Sequence, residues 1–124
     1  MLNEITLYHT LLKGGMALNK FGVYNKFTTI EGKRDVLVEI LLKASKSMEE
    51  VDECELYVIS LDADNTDSIY VYEVWSDAHA HRASLSMEAS QTLIQKAKPI
   101  IMGLEKINSS LPIGGKGITS VSEN

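Results

Sequence analysis

Cysteine, proline and basic charge are all scarce in this 124-residue sequence, which holds one Cys, two Pro and 12 Lys plus Arg against 17 Asp plus Glu. Cys54 cannot close an intrachain disulfide and has no second cysteine with which to share a metal, so it reads as a small core thiol in a reducing, cytoplasmic setting. The formal charge of -5, with no basic cluster longer than Lys33-Arg34, argues against nucleic acid or an anionic membrane surface as a partner. Long hydrophobic runs are missing too. Val36 to Leu42 and Leu56 to Leu61 end well before the roughly 20 residues that a membrane span needs. The opening Met1-Leu2-Asn3-Glu4 lacks the basic and apolar regions of a secretory signal.

What is present is one domain's worth of globular sequence, 44% hydrophobic and 23% charged. Residues 1–20 carry weak signals: Ile5 and Leu7 alternate, then Lys13-Gly14-Gly15 interrupts, and the segment reads as an extension with Met16 a candidate alternative start. Phe21 to Thr29 alternates aromatic or β-branched residues with small or polar ones and predicts a strand. Val36, Leu37, Ile40, Leu41, Ala44 and Met48 recur at helical spacing. Cys54 to Leu61 and Ile69 to Trp75 predict a hairpin around the Asp62 to Asp67 turn, whose Asp and Asn side chains bond their own backbone. Ser76-Asp77 supplies a helix N-cap before Ala78 to Leu85, and the pattern restarts at Ser86 through Leu93, Ile94, Ala97 and Ile101, with Pro99 kinking or ending it. Leu104 to Leu111 predicts a last strand, and Pro112 onward a flexible C-terminal arm. The domains are therefore expected at 1–20, 21–111 and 112–124.

The order β-α-β-β-α-β predicts an α+β, ferredoxin-like split fold with both helices on one face of an antiparallel sheet. On the third strand Tyr70, Tyr72 and Val74 point one way while Ile69, Val71, Glu73 and Trp75 point the other, so both faces carry bulk. With no second helical layer encoded, another copy of the sheet is the expected cover, in a homodimer.

Glu73, Trp75 and the histidines after them converge on one strand-to-helix junction. Trp75 reads either as core or as ligand contact. A carboxylate between Val71 and Trp75 on a covered face needs a partner, either a helix Lys or Arg or a group in a site. His79 and His81 stand about 200° apart on a helix, which excludes a shared metal; one of them faces the pocket, and His81 is a candidate proton acceptor if it does, a capping or solvated group if not. No metal site is expected. The Asp62, Asp64 and Asp67 turn fails as a calcium loop because Asp67 stands where a Gly is needed. Gly114-Gly115-Lys116-Gly117 fails as a phosphate loop, having neither the strand-to-helix context nor a Ser or Thr after the Lys.

Phe21-Gly22-Val23-Tyr24-Asn25-Lys26-Phe27, Glu31-Gly32-Lys33-Arg34-Asp35, Cys54-Glu55-Leu56-Tyr57, Glu73-Val74-Trp75 and His81-Arg82-Ala83-Ser84-Leu85 together resemble the antibiotic biosynthesis monooxygenase domain family, from about Phe21 to Leu111. The closing Gly114-Gly115-Lys116-Gly117 is similar to a bacterial subgroup of quinol monooxygenases. The resemblance implies a dimeric α+β barrel that oxidises a small aromatic substrate, a quinol or related dihydroxy compound, with O2 and no cofactor, neither metal nor flavin. It implies His81 as base, Asn25 as donor to a substrate oxygen, and Trp75, Glu73 and Val71 on the substrate wall. Val71 stands where polyketide-oxidising members have Asn. Ser84 and Ile94 stand where heme-degrading members need Trp and His, which disfavours heme degradation. A non-catalytic ligand-binding dimer and an isomerase of a small phosphorylated signal molecule remain as alternatives; Arg34 or Arg82 in the pocket would favour the isomerase, although two Arg in the whole chain offer little for phosphate.

Overall fold

A computed structural model of the chain describes residues 19–119. Strand β1 (Phe21–Thr29) leads to helix α1 (Arg34–Met48), then β2 (Cys54–Leu61), β3 (Ser68–Trp75), α2 (Ala78–Ser84), α3 (Glu88–Ala97), a 3-10 turn at Lys98–Ile100, and β4 (Ile101–Ser110). The strands form one sheet in the order β2-β3-β1-β4, every neighbouring pair antiparallel. This is the expected α+β split fold.

The alternation in β1 and β3 decides which residues face the helices. Ile69 and Val71 of β3 pack with Leu37 and Leu41 of α1 and Ala97 of α3 into a core whose members are at most 3% exposed. Val36 begins the helical apolar pattern in the sequence yet stays exposed, because α1 presents Leu37, Leu41, Ala44 and Met48 to the sheet instead. The β2–β3 turn is built from side chains: Asp62 Oδ1 accepts from the amides of Asp64 and Asn65, both at 2.8 Å, and Asn65 Oδ1 accepts from that of Asp67 at 2.8 Å. Arg34 Nη1 donates to the Asn65 carbonyl at 3.0 Å, which ties the start of α1 to this turn. Tyr70 donates to the remaining Asp62 oxygen at 2.9 Å. The aspartate is thus fully engaged as turn scaffold.

The start of β4 departs most from expectation. Ile101 continues the helical apolar spacing but opens β4, three residues before the expected start. Pro99 ends the α-helical ladder, the chain tightens into the 3-10 turn, and the Ile30 amide donates to the Ile100 carbonyl at 2.9 Å, drawing the chain into the sheet. After β4 the Thr119 amide donates to Glu55 Oε1 at 3.3 Å, and Lys20 pairs with the other oxygen of the same carboxylate. Gly22 permits the passage of this arm, since a Cβ there would stand 2.6 Å from Ser110 Oγ and 3.1 Å from Pro112 Cγ. The extension expected at residues 1–20 lies outside the described residues except for Asn19 and Lys20.

The other sheet face carries Tyr24, Tyr70 and Tyr72, with ring centroids 5.5 and 5.9 Å from Tyr24 to its two neighbours, and exposed Val58 beside them. Among the described residues no helix lies over it.

Candidate functional site

A cavity of about 450 Å³ lies between the helices and the sheet. Its origin is local. Where α1 and α3 face the first half of β3, Leu37 and Leu41 fill the space. Toward the far end the inward helix positions are Ala44, Ser84, Ser90 and Ala97, side chains too short to reach the strands, and a void remains over Asn25, Tyr57, Glu73 and Trp75. Phe27, Met48, Leu93, Ile94 and Leu104 make the rest of the wall largely apolar.

Trp75 is 1% exposed, and its Nε1 donates to Glu73 Oε1 at 2.8 Å. The contact follows from strand geometry, because residues two apart share a face. Next in the chain, Asp77 caps α2 by accepting from the Ala80 amide at 2.7 Å, which fixes the helix so that its first full turn brings His81 to the cavity. The imidazole stands 5.9 Å from the Trp75 ring and 5.2 Å from Phe21, centroid to centroid. Its Nε2 is 4.0 Å from Glu73 Oε1, close enough for coupling and too far for a direct hydrogen bond. His79 is exposed on another side of α2, against a separate depression near Glu53, so the two histidines diverge as their spacing requires.

Burial governs the charge state of this junction. It pushes the Glu73 carboxyl above the usual carboxylate range, an effect that the Trp75 hydrogen bond partly offsets. Burial, helped by the neighbouring Arg82 charge, lowers His81 below its ordinary 6.5. At neutral pH the imidazole is therefore uncharged and able to take a proton. Glu73, which could have paired with a helix Lys or Arg, has Trp75 and His81 as its partners among the described residues.

Four of the five residues assigned to the site from sequence, Asn25, Glu73, Trp75 and His81, line this one cavity. Val71 does not. At 1% exposure it sits in the core against Leu37 and Leu41, because α1 covers β3 at that point and leaves no room for a ligand. Tyr57 lines the cavity as well; it faces Glu73 directly across the β2–β3 ladder, a relation visible only once the hairpin register is known. Neither Arg34 nor Arg82 reaches the wall, and among the described residues Lys98 is the one Lys or Arg on it. Cys54 is partly buried with its thiol pushed up to about 11, chiefly by burial, so it is not a thiolate at neutral pH. Among the described residues no cluster of His, Cys, Asp or Glu could hold a metal ion, and no helix is long and apolar enough to cross a membrane.

Comparison with known proteins agrees with this architecture. The antibiotic biosynthesis monooxygenase family model matches residues 20–96. The crystal structure of a proposed antibiotic biosynthesis monooxygenase from Chloroflexus aurantiacus is 35% identical, with a TM-score of 0.73 over 81% of this chain and 99% of that one. A proposed monooxygenase of the same kind from Caulobacter crescentus shares 11% identity and the fold, with a TM-score of 0.72 over 78% of this chain and 92% of its own. A Pseudomonas aeruginosa protein, PA3566, shares the fold at 14% identity, with a TM-score of 0.72 over 81% of this chain and 100% of its own. No protein of curated function matches the chain. A family match over most of the chain, joined to a one-third-identical relative that it covers almost completely, means that this chain belongs to the antibiotic biosynthesis monooxygenase family.

Proposed function

We propose that the cavity oxygenates a quinol or related dihydroxy-aromatic compound with O2, the substrate itself supplying the electrons and neither metal nor flavin taking part. Family membership supports monooxygenase-like chemistry on a small molecule. The observation that carries the finer reading is the β3–α2 junction, where an uncharged imidazole, a buried indole and a carboxyl bonded to that indole meet at one side of a largely apolar cavity.

A flat ring fits the apolar walls. His81 takes the proton of a ring hydroxyl, and the Asn25 amide donates to a substrate oxygen. The resulting anion passes an electron to O2, the two radicals join in a new C–O bond at the ring, and the O–O bond breaks with loss of water. Quinol plus O2 thus gives hydroxyquinone plus water, every electron that reduces O2 coming from the ring. Glu73 sets the orientation of the Trp75 indole and biases His81. The open face with Tyr24, Tyr70, Tyr72 and Val58 supports a homodimer packed sheet on sheet, and the free Cys54 suits a cytoplasmic setting.

The test is O2 consumption by chelator-treated, flavin-free protein with 1,4-naphthohydroquinone. Uptake above the autoxidation blank is expected. The acid side of the kcat/KM profile should follow a pKa below 6.5, because protonating His81 removes the base. Quenching of Trp75 fluorescence by the ligand with no uptake above the blank would contradict oxygenation and leave a binding module.

A further inference from the structure

The geometry points to Tyr57 as a substrate-contacting residue whose hydroxyl donates a hydrogen bond to an acceptor oxygen, carbonyl or phenolate, on the ring held in the cavity. Tyr24, Tyr70 and Tyr72 share the open face of the sheet, whereas Tyr57 stands on the helix-covered face, paired with Glu73 across the ladder and lining the cavity. Its ring packs against the core of Leu37, Leu41, Ile69 and Val71, which fixes the direction of its hydroxyl more firmly than a loop could. Tyr70 spends its hydroxyl on Asp62, and Glu73 takes its donor from Trp75; among the described residues Tyr57 makes no side-chain hydrogen bond. A partly buried phenol with a free donor beside an apolar cavity is poorly satisfied unless a ligand or solvent accepts from it.

The electrostatics favour one role over another. Burial first, then the charges of Glu73 and Cys54, push the Tyr57 hydroxyl above its ordinary 10, so it stays protonated across the working range. It cannot serve as the base. It is a permanent donor, the complement of His81, which is an acceptor at neutral pH. One residue therefore takes a proton from the substrate while the other steadies the oxygen on which negative charge collects.

This inference rests on the reading of the cavity as an aromatic-substrate site, and the test separates the two. Wild-type protein and Tyr57→Phe are titrated calorimetrically with 1-tetralone and with tetralin, which differ only in the carbonyl oxygen. Loss of one hydrogen bond should weaken tetralone binding about tenfold in the variant and leave tetralin unchanged. The same weakening should persist from pH 6 to pH 9, since the donor does not titrate there. Unchanged tetralone affinity overturns the role of Tyr57 while the cavity reading stands. An equal loss for both ligands assigns the effect to packing and also overturns it. If wild-type protein binds neither compound, the aromatic-cavity reading fails and the Tyr57 role fails with it.

Discussion

His81→Ala is expected to lower quinol-dependent O2 uptake by about 10² to 10⁴-fold, the usual contribution of a positioned general base. The fold should survive, because the imidazole lies at the cavity wall rather than in the core formed by Leu37, Leu41, Ile69, Val71 and Ala97. The acid side of the pH profile should vanish with the side chain, and ligand binding to the apolar walls should remain within a few-fold of wild type. A variant that keeps both its turnover and its acid limb would remove His81 from the chemistry. The alternative base, Glu73, has its Oε1 engaged by the Trp75 N–H, which leaves that oxygen less free to reach a substrate proton.

Trp75→Ala should have the largest effect on stability, a loss of about 3 to 5 kcal/mol, because a fully buried indole is replaced by a void continuous with the cavity. The loss should also depend on pH. In the folded protein Glu73 holds its proton more tightly than in the unfolded chain, so its contribution favours the fold at low pH and is lost as pH rises through the raised value. The indole N–H opposes that rise by bonding the carboxylate. Removing it raises the Glu73 value further, and the variant should lose more stability at pH 8 than at pH 5. Urea midpoints at the two pH values read this directly, and Trp75→Phe, which keeps most of the ring and none of the N–H, isolates the hydrogen bond. Equal losses at both pH values would mean that the Trp75–Glu73 contact is not linked to Glu73 ionisation.

Much of the site is legible in the sequence for simple geometric reasons. Alternation along Ile69 to Trp75 places Glu73 and Trp75 on one face, the Asp77 cap sets the phase of α2, and the i, i+2 spacing of the histidines means that only one can face the cavity. The bounds of β1 and β2 agree with expectation residue for residue. What the sequence hides depends on non-local packing. Val71 has the alternation of a site residue, but α1 happens to cover it. Tyr57 becomes visible only through the register that sets it opposite Glu73. Ile101 fits a helical period and is nonetheless drawn into the sheet by the Pro99 break and the Ile30–Ile100 hydrogen bond. The Thr119 amide meets Glu55, 64 residues earlier, a contact that no local pattern announces.

The most direct test of cofactor-free oxygenation is mass spectrometry of the product formed under ¹⁸O2 by metal-stripped, flavin-free protein, quenched within the first turnovers. The account predicts hydroxyquinone carrying a single ¹⁸O, formed with wild type and strongly reduced with His81→Ala. Quinone without label, or labelled product formed equally fast with the His81→Ala variant, would contradict it.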